Sequence, residues 1–324
     1  MTAPLLRRAA LAAALSTAVL AQAQGVAYVS SEKDDALAIV DLKTLSVTGT
    51  LPSCKRPRHL QRIGDGSRML VACTDSNRAD IIDLATRKVV GQLPLGDEPE
   101  AFDVSPDGKT VYVSNEDAGA LSFVDVASGK VTRTVEVGKE PEGVKVAADG
   151  KTVWVTSEVA NLVHVVDTAS GKVLKNVKVG KRPRRFALTP DGSQLWVTNE
   201  LAASVTVLST KDYSTVATLD FEVKGARKAD ITPVGITMTR DGKRAFVALG
   251  KANHVAFVDV ASRKVTDLVL VGKRPWNVAL DKAEQRLYVV NGLSDDMTVV
   301  DVAGAKALKS IPVGRVPYMA LIAE

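Results

Sequence analysis

The sequence predicts an all-β fold, a seven-bladed β-propeller built from four-stranded antiparallel blades. Three observations carry that expectation. A proline closing a Val-Gly-x-x-like stretch recurs at Pro57, Pro99, Pro141, Pro183, Pro233, Pro275 and Pro317, at intervals of 42, 42, 42, 50, 42 and 42 residues. An aspartate keeps the same period at Asp41, Asp83, Asp125, Asp167, Asp259 and Asp301, with Ser209 in the remaining place. Between these markers, short β-branched runs alternate with turn residues, the pattern of one blade repeated. Seven repeats of 42 and one insertion of eight fill 302 residues, against 301 in the span 24–324.

The third repeat shows the unit. A first strand from Pro99 ends at Ser105-Pro106-Asp107-Gly108, where proline presets φ and glycine releases the chain. Val111-Tyr112-Val113-Ser114 has the β-branched and aromatic content of a second strand. A third strand follows from Leu121, then a turn at Ala127-Ser128-Gly129-Lys130, then a fourth strand marked by Val131, Val135 and Val137. The chain opens on a second strand at 26–30 and closes on a lone first strand at 318–322. Pairing the C-terminal first strand with the N-terminal strands should complete one blade, close the ring and remove its free edges.

Residues 1–23 read as a secretory signal, with Arg7-Arg8, an apolar stretch from Ala9, and Ala21-Gln22-Ala23 before a cleavage at Gln24. The single propeller domain is then 24–324, in a periplasmic or secreted protein. Basic residues number 42 against 37 acidic, too even a balance for a dedicated nucleic-acid binder, and aromatics are only 4%. Two cysteines exclude a disulfide-rich scaffold and a four-cysteine zinc site.

Strand order separates two faces. One carries near-identical turns such as 105–108 and 189–192 and reads as scaffold. The other differs from blade to blade. There the residue after each marker proline is Arg58, Glu100, Glu142, Arg184, Val234, Trp276 and Tyr318 in turn. The residue before it is Arg56, Glu98, Glu140, Arg182, Thr232, Arg274 and Val316, and Glu32, Glu116, Glu158 and Glu200 share one position in the loops after second strands. With His59 and Arg185, these residues should ring the channel mouth, as arginine lobes around an acidic sector. Arginine forks suit carboxylate or phosphate, the glutamates a cation or a basic partner, and Trp276 and Tyr318 add an apolar wall. The alternative is that the charges merely pair with one another in solvent. The eight inserted residues should lengthen the loop from Glu222 to Thr232 beside the mouth.

Catalytic signatures are missing: no Gly-x-Ser-x-Gly elbow, no P-loop and no Cys-x-x-Cys-His. Of His59, His164 and His254, His59 is the one placed to act as ligand or base. Cys54 and Cys73 flank one innermost strand. A disulfide there would close a loop of about 20 residues, worth roughly 3 kcal/mol. Neighbouring strands can equally hold the sulfurs too far apart.

Tyr112-Val113-Ser114-Asn115, Trp196-Val197-Thr198-Asn199 and Tyr288-Val289-Val290-Asn291, with the Val-Gly-Lys-x-Pro and Ser-Pro-Asp-Gly elements, resemble the YVTN family of β-propeller repeats. Residues 141–143, 182–184, 245–253 and 271–276 are similar, more narrowly, to the exported propellers associated with PQQ-dependent alcohol catabolism. That resemblance implies no catalytic residues. It leads to the expectation of an exported, non-catalytic propeller binding a small molecule, or a dehydrogenase or transporter component, at the variable face. PQQ and divalent or lanthanide cations are the cofactors to test, and a lactonase-like hydrolase is the alternative.

Overall fold

The structure, a computed structural model, describes residues 25–324. The expected signal at 1–23 lies outside the described residues. Within them the chain forms seven four-stranded antiparallel sheets. Blade 1 is composite: strands Val26–Ser31, Ala36–Asp41 and Ser46–Pro52 are joined by the C-terminal strand Pro317–Ala323. Its register pairs Val26 with Ala323 and Tyr28 with Leu321. Blades 2 to 7 occupy residues 57–94, 99–136, 141–178, 183–220, 236–270 and 275–312, each in sequence order from first to fourth strand. The first strands of successive blades touch all the way round, so the ring closes on them.

Burial follows from that arrangement. The second strand of blade 3, Thr110–Asn115, is buried on both faces, and its fourth strand, Lys130–Glu136, is mostly exposed. Seven apolar clusters fill the seven junctions between blades. Leu70, Leu93, Phe102 and Val113 join blades 2 and 3; Trp196, Phe221, Val247 and Ala256 join blades 5 and 6. Fully burying each such side chain contributes about 1.5–3 kcal/mol, so stability is spread around the ring.

The periodic aspartates close the turn after each third strand. Asp41, Asp83, Asp125, Asp167 and Asp259 each accept hydrogen bonds from the backbone N–H and the hydroxyl of a Thr or Ser three residues on. That is a local backbone reason for the marker. At Ser209 the motif changes, and Asp212 caps Ser214 instead.

The insertion lengthens the loop between blades 5 and 6, as expected, and packs part of it inward: Val223 and Ile231 join Phe221 in the cluster between those blades. The first strand of blade 6 is cut to Ile236–Met238. Cys54 and Cys73 form a disulfide with their Cα atoms 5.7 Å apart, tying the approach to blade 2 to the end of its second strand.

Candidate functional site

The variable face is held by a device that recurs between blades. The residue before the marker proline sits at positive φ in Arg56, Glu98, Glu140, Arg182, Arg274 and Val316. At five of these the strained backbone is braced from the preceding blade. Asp35 accepts from the N–H of Arg56, Asn77 from Glu98, Asn161 from Arg182, Asn253 from Arg274 and Asp295 from Val316. The left-handed step leaves most of these residues on the rim and delivers the next one, after proline, to the axis.

At the axis the charges are spent on one another. Arg58 pairs with Glu100, and its guanidinium lies 4.2 Å from the Tyr318 ring centre. Glu142 forms an ion pair with Arg185 at 2.8 Å and accepts from the Tyr318 hydroxyl at 3.3 Å, with Arg184 also 3.3 Å away. Arg184 pairs with Glu158 as well, and Glu200 receives Arg274 at 2.6 Å. Arg274 also donates to Thr232 at 2.9 Å and covers Trp276 at 4.3 Å. Glu32, Glu116, Glu158 and Glu200 occupy equivalent places, each N–H bonded to the carbonyl of the residue before a marker proline. Arg58, Glu100, Glu142, Glu158, Arg184, Arg185, Glu200 and Arg274 are all buried. The expected basic lobes and acidic sector are therefore interleaved in one desolvated network. It seals the channel on this side.

Burial and competition set the protonation pattern. Burial opposes ionisation of Glu142, but the Arg184, Arg185 and Arg58 guanidiniums override it and hold the carboxyl well below its usual range. Burial pushes Glu100 and Glu158 up to about 8, the charge on Glu142 adding to the rise in both. Glu98, Glu100 and Glu116 bring carboxylate oxygens within 4.8 Å of one another. An all-oxygen set of this kind suits a hard cation such as Ca2+. Cys54 and Cys73 lie close to Asp80, but the disulfide takes their sulfurs out of metal binding.

His59 does not join the mouth. Its ring packs edge-on against Phe102, 4.7 Å between centres, and faces a cavity of about 260 Å³ further along the channel. Gln61, Asp103, Lys145 and Asn277, none of which was singled out from the sequence, line the same cavity. Asp103 accepts from Gln61 at 2.8 Å and from Lys145 at 2.9 Å. Burial, then Arg185, presses His59 down to about 3, with Lys145 adding to that and Asp103 and Glu142 opposing it. The fold thus favours neutral His59. Its stabilisation is complete above about pH 6.5, the unfolded value, and is lost as pH falls towards 3. Urea midpoints at pH 7 and pH 4 should therefore fall less in His59→Gln than in the native chain; equal falls would refute the assignment.

A family model described as a YNCE-like β-propeller matches residues 60–147, and one described as a seven-bladed lactonase β-propeller matches residues 170–310. The chain is a seven-bladed propeller that is similar, over these two segments, to the YNCE-like and lactonase propellers. No curated protein matches it. Among solved structures this propeller is similar to Kuenenia stuttgartiensis hydrazine synthase, with TM-score 0.76 and 22% identity over 85% of this chain and 92% of that one. A functionally unknown protein from Desulfotomaculum acetoxidans has TM-score 0.78 and 17% identity, over 93% and 99%. A Bacteroides uniformis protein described as a candidate 6-phosphogluconolactonase has TM-score 0.76 and 16% identity, over 93% and 100%. At these identities the likeness shows the fold of this propeller and no more.

Proposed function

We propose that this chain is an exported, non-catalytic binding propeller that docks a protein partner on its variable face. One observation carries the reading. Among the described residues, the large exposed apolar side chains outside the fourth strands are Val159, Leu201 and Leu293, all in the loops after second strands on that face. Exposed Lys139, Lys181 and Lys273 stand in the marker loops of the same half of the disc, and exposed Lys251 in a loop after a second strand there. The backbone N–H groups of Leu201 and Leu293 bond to the carbonyls of Lys181 and Lys273, so apolar and basic residues are side by side. The other half carries Asp75, Asp97, Glu98 and Asp117. A partner that presents carboxylates around an apolar patch fits the basic half, and its basic residues fit the acidic half.

The narrower resemblance supports a partner from a PQQ-dependent alcohol oxidation system. PQQ itself, a planar tricarboxylate, does not fit the mouth, because the arginines that would receive it are buried in pairs with glutamate. A photo-crosslinker placed at Leu201 or Leu293 in cells should give the same single adduct. Placed at the outer-strand residues Leu174 or Val90, it should give none, and Lys181→Glu with Lys273→Glu should abolish the adduct. No loop adduct, or the same adduct from the outer strands, would overturn the reading.

The lactonase match over 170–310 favours a second reading, hydrolysis with neutral His59 as base beside Arg185. Turnover of a simple lactone that disappears in His59→Gln would replace the binding proposal with this one.

A further inference from the structure

We infer that the channel is a dead-end binding site for a small monocarboxylate with an apolar body, entered from the face of the near-identical turns. The variable side is sealed, with Glu100, Glu142, Arg184 and Tyr318 buried across the axis. The 260 Å³ cavity beneath that plug shares Thr237, Val278 and Met319 with a wider recess of about 610 Å³. The recess is bordered by Asp281, Lys282 and Glu284 of a turn that follows a first strand, so it opens on the opposite face. A ligand would therefore pass the turns and stop at the ion network. Nothing in the partner reading requires this site.

The lining states the ligand chemistry. Phe102, Val144, Phe186, Ile236 and Val278 make an apolar wall, which argues for a hydrocarbon or aryl body. The charged groups at the cavity are Asp103, Lys145 and Arg185, and Arg185 is already paired with Glu142. Asp103 is already saturated by Gln61, Lys145 and the Val146 N–H. Lys145 uses one N–H on Asp103, which leaves donors for an anion. The imidazole of His59 is neutral, so a carboxylate meets a hydrogen-bond partner there without a third cation. The Arg185 guanidinium is taken up by Glu142 and the Tyr318 hydroxyl, so Lys145 is the cation at the cavity with donors to spare. A phosphate ion would find the charge but leave the apolar wall uncovered.

Calorimetry with benzoate, hexanoate, benzyl alcohol and inorganic phosphate tests the inference. Benzoate and hexanoate should bind saturably, at least about tenfold tighter than benzyl alcohol or phosphate. Lys145→Met should weaken benzoate by about tenfold and leave benzyl alcohol unchanged. Thr237→Trp, at the junction of the two cavities, should remove binding while far-UV circular dichroism keeps its β signature. Lys181→Glu, which strikes the docking face, should leave benzoate binding intact. Benzoate binding no better than benzyl alcohol, phosphate binding as tight as benzoate, or undiminished binding to Thr237→Trp would each overturn it.

Discussion

Glu142→Gln should cost this propeller about 3 kcal/mol, the lower end of the range for breaking a buried ion pair. The carboxylate is 3% exposed and is the meeting point of Arg184, Arg185 and the Tyr318 hydroxyl. Removing its charge leaves guanidiniums in a dry site, where desolvation is not repaid. Two neighbours soften the loss. Glu100 and Glu158 stand at about 8 partly because Glu142 is charged, and without that charge both ionise more readily against Arg58 and Arg184. The same coupling gives a pH signature with a definite sign. An acid raised in the folded state contributes stability that is complete below about 4.5, its unfolded value, and is lost as pH rises through 8. The native chain should therefore weaken between pH 6 and 9, and Glu142→Gln should flatten that decline as its neighbours' values drop. Glu284→Gln, which removes a rim pair with a largely exposed Arg240, should cost about 0–1 kcal/mol. Urea midpoints across this range decide it. Equal losses for the two variants would mean that the network is no more desolvated than a surface pair.

The period that made the fold legible also held the site, though less visibly. Closure could be read because turns, marker prolines and matched chain ends are backbone requirements, and these repeat in sequence. Charge pairing is set between blades, so it is invisible along one strand. Yet Arg58 and Glu100 are 42 residues apart, as are Gln61 and Asp103, Asp103 and Lys145, and Thr232 and Arg274. Residues one repeat apart occupy the same place on adjacent first strands. Opposite signs one period apart were therefore a pairing signal, at the mouth and again three residues deeper. The positive φ before six of the seven prolines carried a weaker signal, because Arg56 and Glu98 are not residues that left-handed backbone selects. The Asn and Asp braces that hold them there come from the preceding blade. Nor does the pattern show that the inserted segment folds inward, since its buried Val223 and Ile231 are scattered among charged residues.

Losing the disulfide should lower stability by roughly 3 kcal/mol, the chain-entropy value for a loop of about 20 residues. The bond links positions 19 apart and lies in the apolar junction of blades 1 and 2, with Cys54 and Cys73 packed near Tyr28, Leu60 and Ile82. Its position adds a local effect to the entropic one. Cys54 lies two residues before Arg56, whose left-handed backbone is held by Asp35, and four before Arg58 of the sealed network. Cys54→Ala with Cys73→Ala should therefore loosen this sector first, and amide exchange should rise at 54–60 before it rises in the other blades. Both sulfurs are buried, so reductant should act only as fast as this junction opens. Such a bond persists in an oxidising compartment, where the export proposed above would place it. Protein recovered from such a compartment should show no thiol on denaturation. Protein made in a reducing cytosol should show two and melt earlier, as the double alanine variant does. Equal stability of the oxidised and reduced forms would mean that packing at the junction of blades 1 and 2 holds this sector without the crosslink.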